Sequence, residues 1–254
     1  MTRAIHTFRI RRLLSRIHST LYSNGETFCS RTNSRQTAIQ QLREEVENWY
    51  LEIPPTPAAK EPLTLFPTSD WFDLEYNYAI IQLYRSEIIH GPTGAGDDVF
   101  IQCMRASESI CHGYRRQFVG KPTSSTWTAL HELFLGGLTY LHCLWTSPAA
   151  REAHANGQVS STCSDCTIAL VIMAERWHAA APYRDIFETL SNLTMKMMEE
   201  ANGGISNFTL ATTLHGRLVE NDLMEQMELM GDSGISDGIS ELLDRLLGEN
   251  PRED

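Results

Sequence analysis

Apolar residues in this chain recur every three to four positions, and no stretch shows the strict alternation of a half-buried strand. Ile10, Leu13, Leu14, Ile17 and Leu21 line one face of a segment near the start. Leu74, Tyr78, Ile81 and Tyr84 repeat the spacing within 71–89, and 99–118 repeats it less cleanly. Trp127, Leu130, Phe134, Leu138, Leu141 and Trp145 make a stripe about five turns long. Cys166, Ala169, Leu170, Met173 and Trp177 make another, and Ile186, Leu190, Leu193 and Met197 a further one. Asp70 is placed to cap the helix that follows it. Pro182 sits where a new helix tolerates its missing donor, and Asp185 suits the positive end of that helix. A Pro-rich connector from Ile53 to Ser69 carries Pro54, Pro55, Pro57, Pro62 and Pro67, and admits neither a helix interior nor a central strand. Shorter breaks fall at 91–96, 120–125, 147–160, 202–207 and 231–238. The pattern predicts an all-α fold, an irregular multi-helix domain with a long Pro-rich connector. At 254 residues and 42% apolar, the chain is long enough to bury its own core.

Charge divides the chain unevenly. Residues 1–25 hold Arg3, Arg9, Arg11, Arg12 and Arg16 and no acid. Residues 220–254 hold eleven acids against Arg245 and Arg252, a local balance of −9 within a chain total of −11. So acidic a chain does not bind nucleic acid by bulk electrostatics, because neutralising phosphates needs a cationic face. Within the tail, Ile239, Leu242, Leu243, Leu246 and Leu247 fall at i, i+3, i+4, i+7 and i+8, and Gly248 and Pro251 end the pattern. A short acidic amphipathic helix after a Gly/Ser/Asp-rich segment suits folding on a partner, with Leu242, Leu243, Leu246 and Leu247 entering a groove. The alternative is that the same face packs on the parent domain. The expected organisation is N-terminal helices over 1–51, a Pro-rich linker over 52–70, a helical domain over 71–208 and an acidic, partly disordered tail over 209–254.

Sites for bond-making chemistry do not assemble. Cys163-Ser-Asp-Cys166 has no second pair to complete four zinc ligands, and its helical surroundings lack a thioredoxin-like context. The expectation is Cys166 in the core and Cys163 near a helix start, as small hydrophobes. His131-Glu132 is not HExxH, since position 135 is Leu. His131 and His142 lie eleven apart without a carboxylate at ligand spacing, and read as polar residues at a helix edge. The segment 91–96 lacks the Lys-Ser/Thr of a P-loop, and no nucleophile elbow is present. Catalytic, metal and cofactor-binding residues are therefore expected to be none. Asn192 and Asn207 begin Asn-x-Thr sequons that carry meaning only in a secreted chain. The uncharged run 133–150 holds too many polar residues for a membrane span, so no membrane partner is expected.

Three stretches, in order, carry a family resemblance: FRIRRLLSRIHSTLY (8–22), WFDLEYNYAIIQLYR (71–85), and CTIALVIMAERW (166–177) followed by YRDIFE (183–188). Together they resemble the C-terminal half of the regulatory middle homology domain of fungal zinc-cluster transcription factors, over roughly residues 5 to 200. The resemblance implies an all-helical regulatory domain, a nuclear location, and an acidic tail that acts as an activation segment. It implies the transcription machinery or co-regulator proteins as partners, and allows homo- or hetero-oligomers. The family's six-cysteine, two-zinc DNA-binding module has no counterpart in the cysteine spacing here. The implied chain thus has no cofactor, resembles a truncated factor, an alternative gene product or a fragment of a longer reading frame, and reaches DNA only indirectly or through a missing module. Two other readings fit some of the same residues. The Arg-rich, acid-free segment 1–23 has the character of a mitochondrial transit peptide. A cleft lined by Trp, Tyr and His between helices would suit a small-molecule-binding protein.

Overall fold

A computed structural model describes residues 3–22, 32–55, 68–90, 95–119, 127–154, 156–203, 230 and 237–247. Among these residues every regular element is helical and no strand occurs, as the apolar spacing requires. The helices are α1 (Arg3–Leu21), α2 (Thr32–Leu51), α3 (Ser69–His90), α4 (Asp97–Phe118), α5 (Trp127–Thr146), α6 (Pro148–Ala153), α7 (Asn156–Arg176), α8 (Ala181–Gly203) and α9 (Asp237–Leu247). A single 3₁₀ turn, His178–Ala180, joins α7 to α8. No described helix is long and apolar enough to cross a membrane. Residues 56–67 of the Pro-rich connector, and all of the acidic tail except Met230 and 237–247, lie outside the described residues.

The chain packs as two compact units, Met1–Ala95 and Gly96–Asp254. The sequence grouping had placed α3 with the helices after it, in 71–208. Packing places α3 with α1 and α2 instead, because the three share one core.

In the first unit the expected α1 face is buried: Ile10, Leu13, Ile17 and Leu21, joined by His6. It meets Ile39, Leu42, Val46 and Trp49 of α2, a stripe at helical spacing that the sequence reading passed over. The Trp49 indole N–H donates to the His6 carbonyl at 2.9 Å, and its ring packs on Phe72 of α3 at 6.0 Å. The arginines on the opposite side of α1 are engaged. Arg9 pairs with Glu52 at 2.6 Å, Arg11 with the buried Glu75 at 2.5 Å, and Arg16 with Glu45. The cap of α3 is not Asp70 but Thr68, whose hydroxyl accepts the Trp71 amide at 3.3 Å. A threonine two residues earlier serves because a cap accepts from an amide two or three positions on. His6 is fully buried, and neither ring nitrogen finds a hydrogen-bond partner among the described residues. Burial first, then Arg9, lowers its pKa, so it sits neutral in the core.

The second unit is built around α5. From Glu132 to Leu144 every residue of this helix is buried. The stripe expected from the sequence is there, with Trp127 and Trp145 half-buried at its ends, but burial continues around the whole helix. Helices α4, α7, α8 and α9 all pack against it. Two adjacent glycines make this approach possible. A Cβ at Gly136 would lie 2.9 Å from Cγ2 of Ile110 on α4. One at Gly137 would lie 2.6 Å from the Phe187 ring on α8 and 2.8 Å from Cys166 Sγ on α7. The break expected at 147–160 is instead α6 and the start of α7. Ser147 caps α6 by accepting the Ala150 amide at 3.2 Å, and Pro148 occupies a first-turn position where no amide is needed.

Opposing effects make Gly137 a sharp test. Alanine is favoured over glycine in a helix interior by about 1 kcal/mol. Forcing a methyl into a closed core costs about 1–3 kcal/mol. The packed Phe187 ring and the buried Cys166 cannot both retreat, so Gly137→Ala should lower stability by about 1–2 kcal/mol in urea denaturation. Gly157→Ala, at an α7 position with nothing within 4 Å of the added Cβ, should be neutral or stabilising in the same measurement.

Candidate functional site

The tail residues singled out by their spacing lie in α9. Ile239, Leu242 and Leu243 are fully buried and Leu246 nearly so, while Asp244 and Arg245 are exposed. The side chain of Leu247 lies outside the described residues. Their apolar face is turned onto α5, so of the two arrangements open to this helix the chain shows the one in which it packs on its own domain.

Helical geometry sorts the residues of α5 by face. Gly136 and Glu132 turn to α4, the latter taking a 2.6 Å hydrogen bond from the Tyr114 hydroxyl. Gly137, Phe134 and Trp145 turn to α7 and α8, and the Trp145 indole donates to Thr194 at 2.8 Å. At 100° per residue Leu135, Leu138, Thr139 and His142, at i, i+3, i+4 and i+7, share a further face of α5. Those four residues are buried. Thr139 is fully so, and its hydroxyl has no hydrogen-bond partner among the described residues. His142 is thus a covered core residue, not the helix-edge residue its polarity suggested.

The remaining chemistry-bearing residues are structural. A polar seam joins α4 to α7. Arg115 and His112 both contact Asp165, at 2.6 and 2.5 Å. Glu108 lies 3.6 Å from His112 and 3.7 Å from the buried His154, and accepts from Gln158 at 3.0 Å. His154 meets the Tyr140 hydroxyl at 3.1 Å. Arg115 is therefore part of an interhelical pair. Burial holds the Tyr140 hydroxyl protonated by raising its pKa.

The thiols of Cys163 and Cys166 are buried in the helix packing, Cys163 two turns into α7 and not at its start. Burial raises the pKa of Cys163 to about 12 and that of Cys166 well above its ordinary value, which disfavours the thiolate that redox chemistry or metal ligation needs. His131 donates Nδ1–H to the Trp127 carbonyl at 3.0 Å, among the rings of Trp127 and Tyr183. Three helical turns separate it from His142 along the helix. Among the described residues no group of three or more His, Cys, Asp or Glu side chains could hold a metal ion.

Comparison with known proteins supplies what the geometry does not. The chain is 23% identical over 238 residues to the positive regulator of purine utilization of Emericella nidulans, covering 79% of this chain and 22% of that protein. It is 27% identical over 140 residues to the pyrimidine pathway regulatory protein 1 of Saccharomyces cerevisiae, covering 55% of this chain and 15% of that protein. An uncharacterised transcriptional regulatory protein of the same yeast matches at 27% over 124 residues, 42% of this chain and 9% of that protein. The chain is a relative of fungal transcriptional regulators. It spans less than a quarter of the length of each of these three, which fits a regulatory-domain segment. No family model matches it, and no solved structure does. The regulators it matches give no enzymatic activity in their names, in line with the lack of a catalytic constellation in the sequence.

Acid should act on this unit through His154. Its pKa is lowered, chiefly by burial and further by Arg105, against the opposing pull of Glu108. The folded state therefore favours the neutral ring. The stability it contributes is complete above the unfolded-state pKa of about 6.5, and is lost as pH falls below that value toward the lowered folded pKa. His154→Gln keeps a partner for Tyr140 and cannot titrate. Urea denaturation at pH 7.5 and pH 5 should show a smaller acid loss for His154→Gln than for the parent chain, and equal losses would exclude His154 as the group responsible.

Proposed function

We propose that this chain is the regulatory portion of a nuclear transcription regulator and works through protein contacts, with no reaction of its own. The observation that carries the reading is the pairing of an all-helical body related to fungal regulators with an acidic helix that gathers its leucines on one face. Such a helix is suited to the hydrophobic grooves of co-regulators or of the transcription machinery, and Leu242, Leu243, Leu246 and Leu247 are the residues proposed to enter them. DNA is contacted indirectly, through a module outside these 254 residues. The acidic balance of the chain supports this, because the phosphate backbone repels it.

The packing of α1 bears on the mitochondrial alternative. Its arginines are tied to Glu45, Glu52 and Glu75 of the first unit, and its apolar face lies in that unit's core. This supports α1 as a permanent structural helix over α1 as a removable leader.

The tail can be tested by itself. Residues 209–254 fused to an unrelated DNA-binding domain should activate a reporter in a fungal cell. Replacing Leu242, Leu243, Leu246 and Leu247 together by Ala should return expression to the level of the DNA-binding domain alone. Full activation by the substituted tail would overturn the assignment of those leucines.

A further inference from the structure

Arg85, on α3 in the first unit, is the one buried arginine among the described residues, 6% exposed. Arg9, Arg11, Arg16, Arg35 and Arg43 of the same unit are all less covered, and each pairs with a glutamate. Arg85 pairs with none. Among the described residues no carboxylate meets its guanidinium, and its Nε, shut off from water, has no hydrogen-bond partner. What the guanidinium does meet is the Tyr22 ring, whose centroid lies 4.6 Å from the guanidinium carbon. That contact engages a face of the cation. The N–H donors radiate in the guanidinium plane, where a ring over the face accepts nothing from them. We infer that Arg85 is the base of an anion-binding site within the first unit, filled by the carboxylate of a small organic acid that the guanidinium fork holds beside Tyr22.

Charge selects the class of occupant. A guanidinium is a permanent cation, and covering one without an anion costs far more than one aromatic face returns. The neighbouring groups do not supply the anion. Arg35 donates to the hydroxyl of Ser86, the residue after Arg85, and its own charge is matched by Glu87 at 3.0 Å. The Tyr22 hydroxyl donates to the Gln82 carbonyl at 2.7 Å. Burial raises the pKa of that hydroxyl against the opposing pull of Arg85 and Arg35, so it stays a neutral phenol. Two arginines against one glutamate leave a single positive charge, that of Arg85, and a monovalent anion balances it. A planar carboxylate also matches the planar fork through two parallel N–H···O bonds. A phosphate dianion would bring one negative charge too many. So deep a fork admits one small group, not a protein surface.

Thermal unfolding of the full chain in sodium acetate, against sodium chloride at equal ionic strength, tests the site. Acetate at ten times its Kd should raise the Tm of the parent chain by about 3–6 °C. Saturation-transfer NMR on the acetate methyl reads binding to the folded chain directly and needs no variant. Arg85→Met fills similar space without the charge, and should lose both responses while circular dichroism keeps its helical signal. Arg85→Lys keeps the charge but not the fork, and should bind acetate at least about tenfold more weakly. Equal Tm in the two salts with no saturation transfer would overturn the site, as would an acetate response that both Arg85 variants retain in full. Inorganic phosphate binding through Arg85 where acetate does not would overturn the choice of a carboxylate. Glu26 follows Tyr22 by four residues in the chain. Acetate binding that appears only in a Glu26→Gln chain would make the protein's own carboxylate the occupant and overturn the assignment to a free acid.

Discussion

The second unit depends on one helix that has no solvent side. Because α5 is buried from Glu132 to Leu144, its neighbours must come close enough on every face to exclude water, and side chains of ordinary size would hold some of them off. Gly136 and Gly137 remove that obstacle at mid-helix, admitting Ile110 from one direction and Phe187 with Cys166 from another. The glycines cost helical propensity, and the packing they allow offsets it. The cysteines of α7 are explained by the same demand. Cys166 is there because a small apolar side chain is what fits beside Gly137.

Polar groups drawn into such a core need partners, and most of those in the second unit have one. Glu132 is held by Tyr114, and Thr194 both receives the Trp145 indole and donates to the Leu190 carbonyl. Glu108 and Asp165 organise the α4–α7 seam around two histidines and Arg115. The exceptions stand out against this background. His6 in the first unit and Ser107 and Thr139 in the second are buried with polar atoms that have no hydrogen-bond partner among the described residues.

Charge in the first unit has a structural use that composition alone leaves open. An Arg-rich amphipathic helix is compatible with a leader peptide, a nucleic-acid contact or a surface helix. Pairing of Arg16 with Glu45 on α2, of Arg9 with Glu52 just beyond it and of Arg11 with Glu75 on α3 makes it the outer stave of a three-helix packing. Most of these pairs are half in water and are worth little each; the contact of Arg11 with Glu75 differs because the carboxylate is fully covered and would be costly to leave alone.

The sequence by itself determined that the chain is helical, roughly where its helices lie, and that 237–247 has one apolar face, because periodicity and capping are local properties carried by residues a few positions apart. Even there it erred by small steps: the cap at Thr68 instead of Asp70, the Ser147-Pro148 helix start hidden in what looked like a loop, the α2 stripe unremarked. Its resemblance to fungal regulators rested on the order of three core stripes, and relatives matched along much of the chain bear that out. Only the tertiary structure decided that α3 joins the first unit, that α5 is enclosed on all sides, that His142 is covered, and which surface takes the leucines of α9. Each of those depends on which face meets which, and contacts between residues a hundred positions apart leave no periodic trace in either partner.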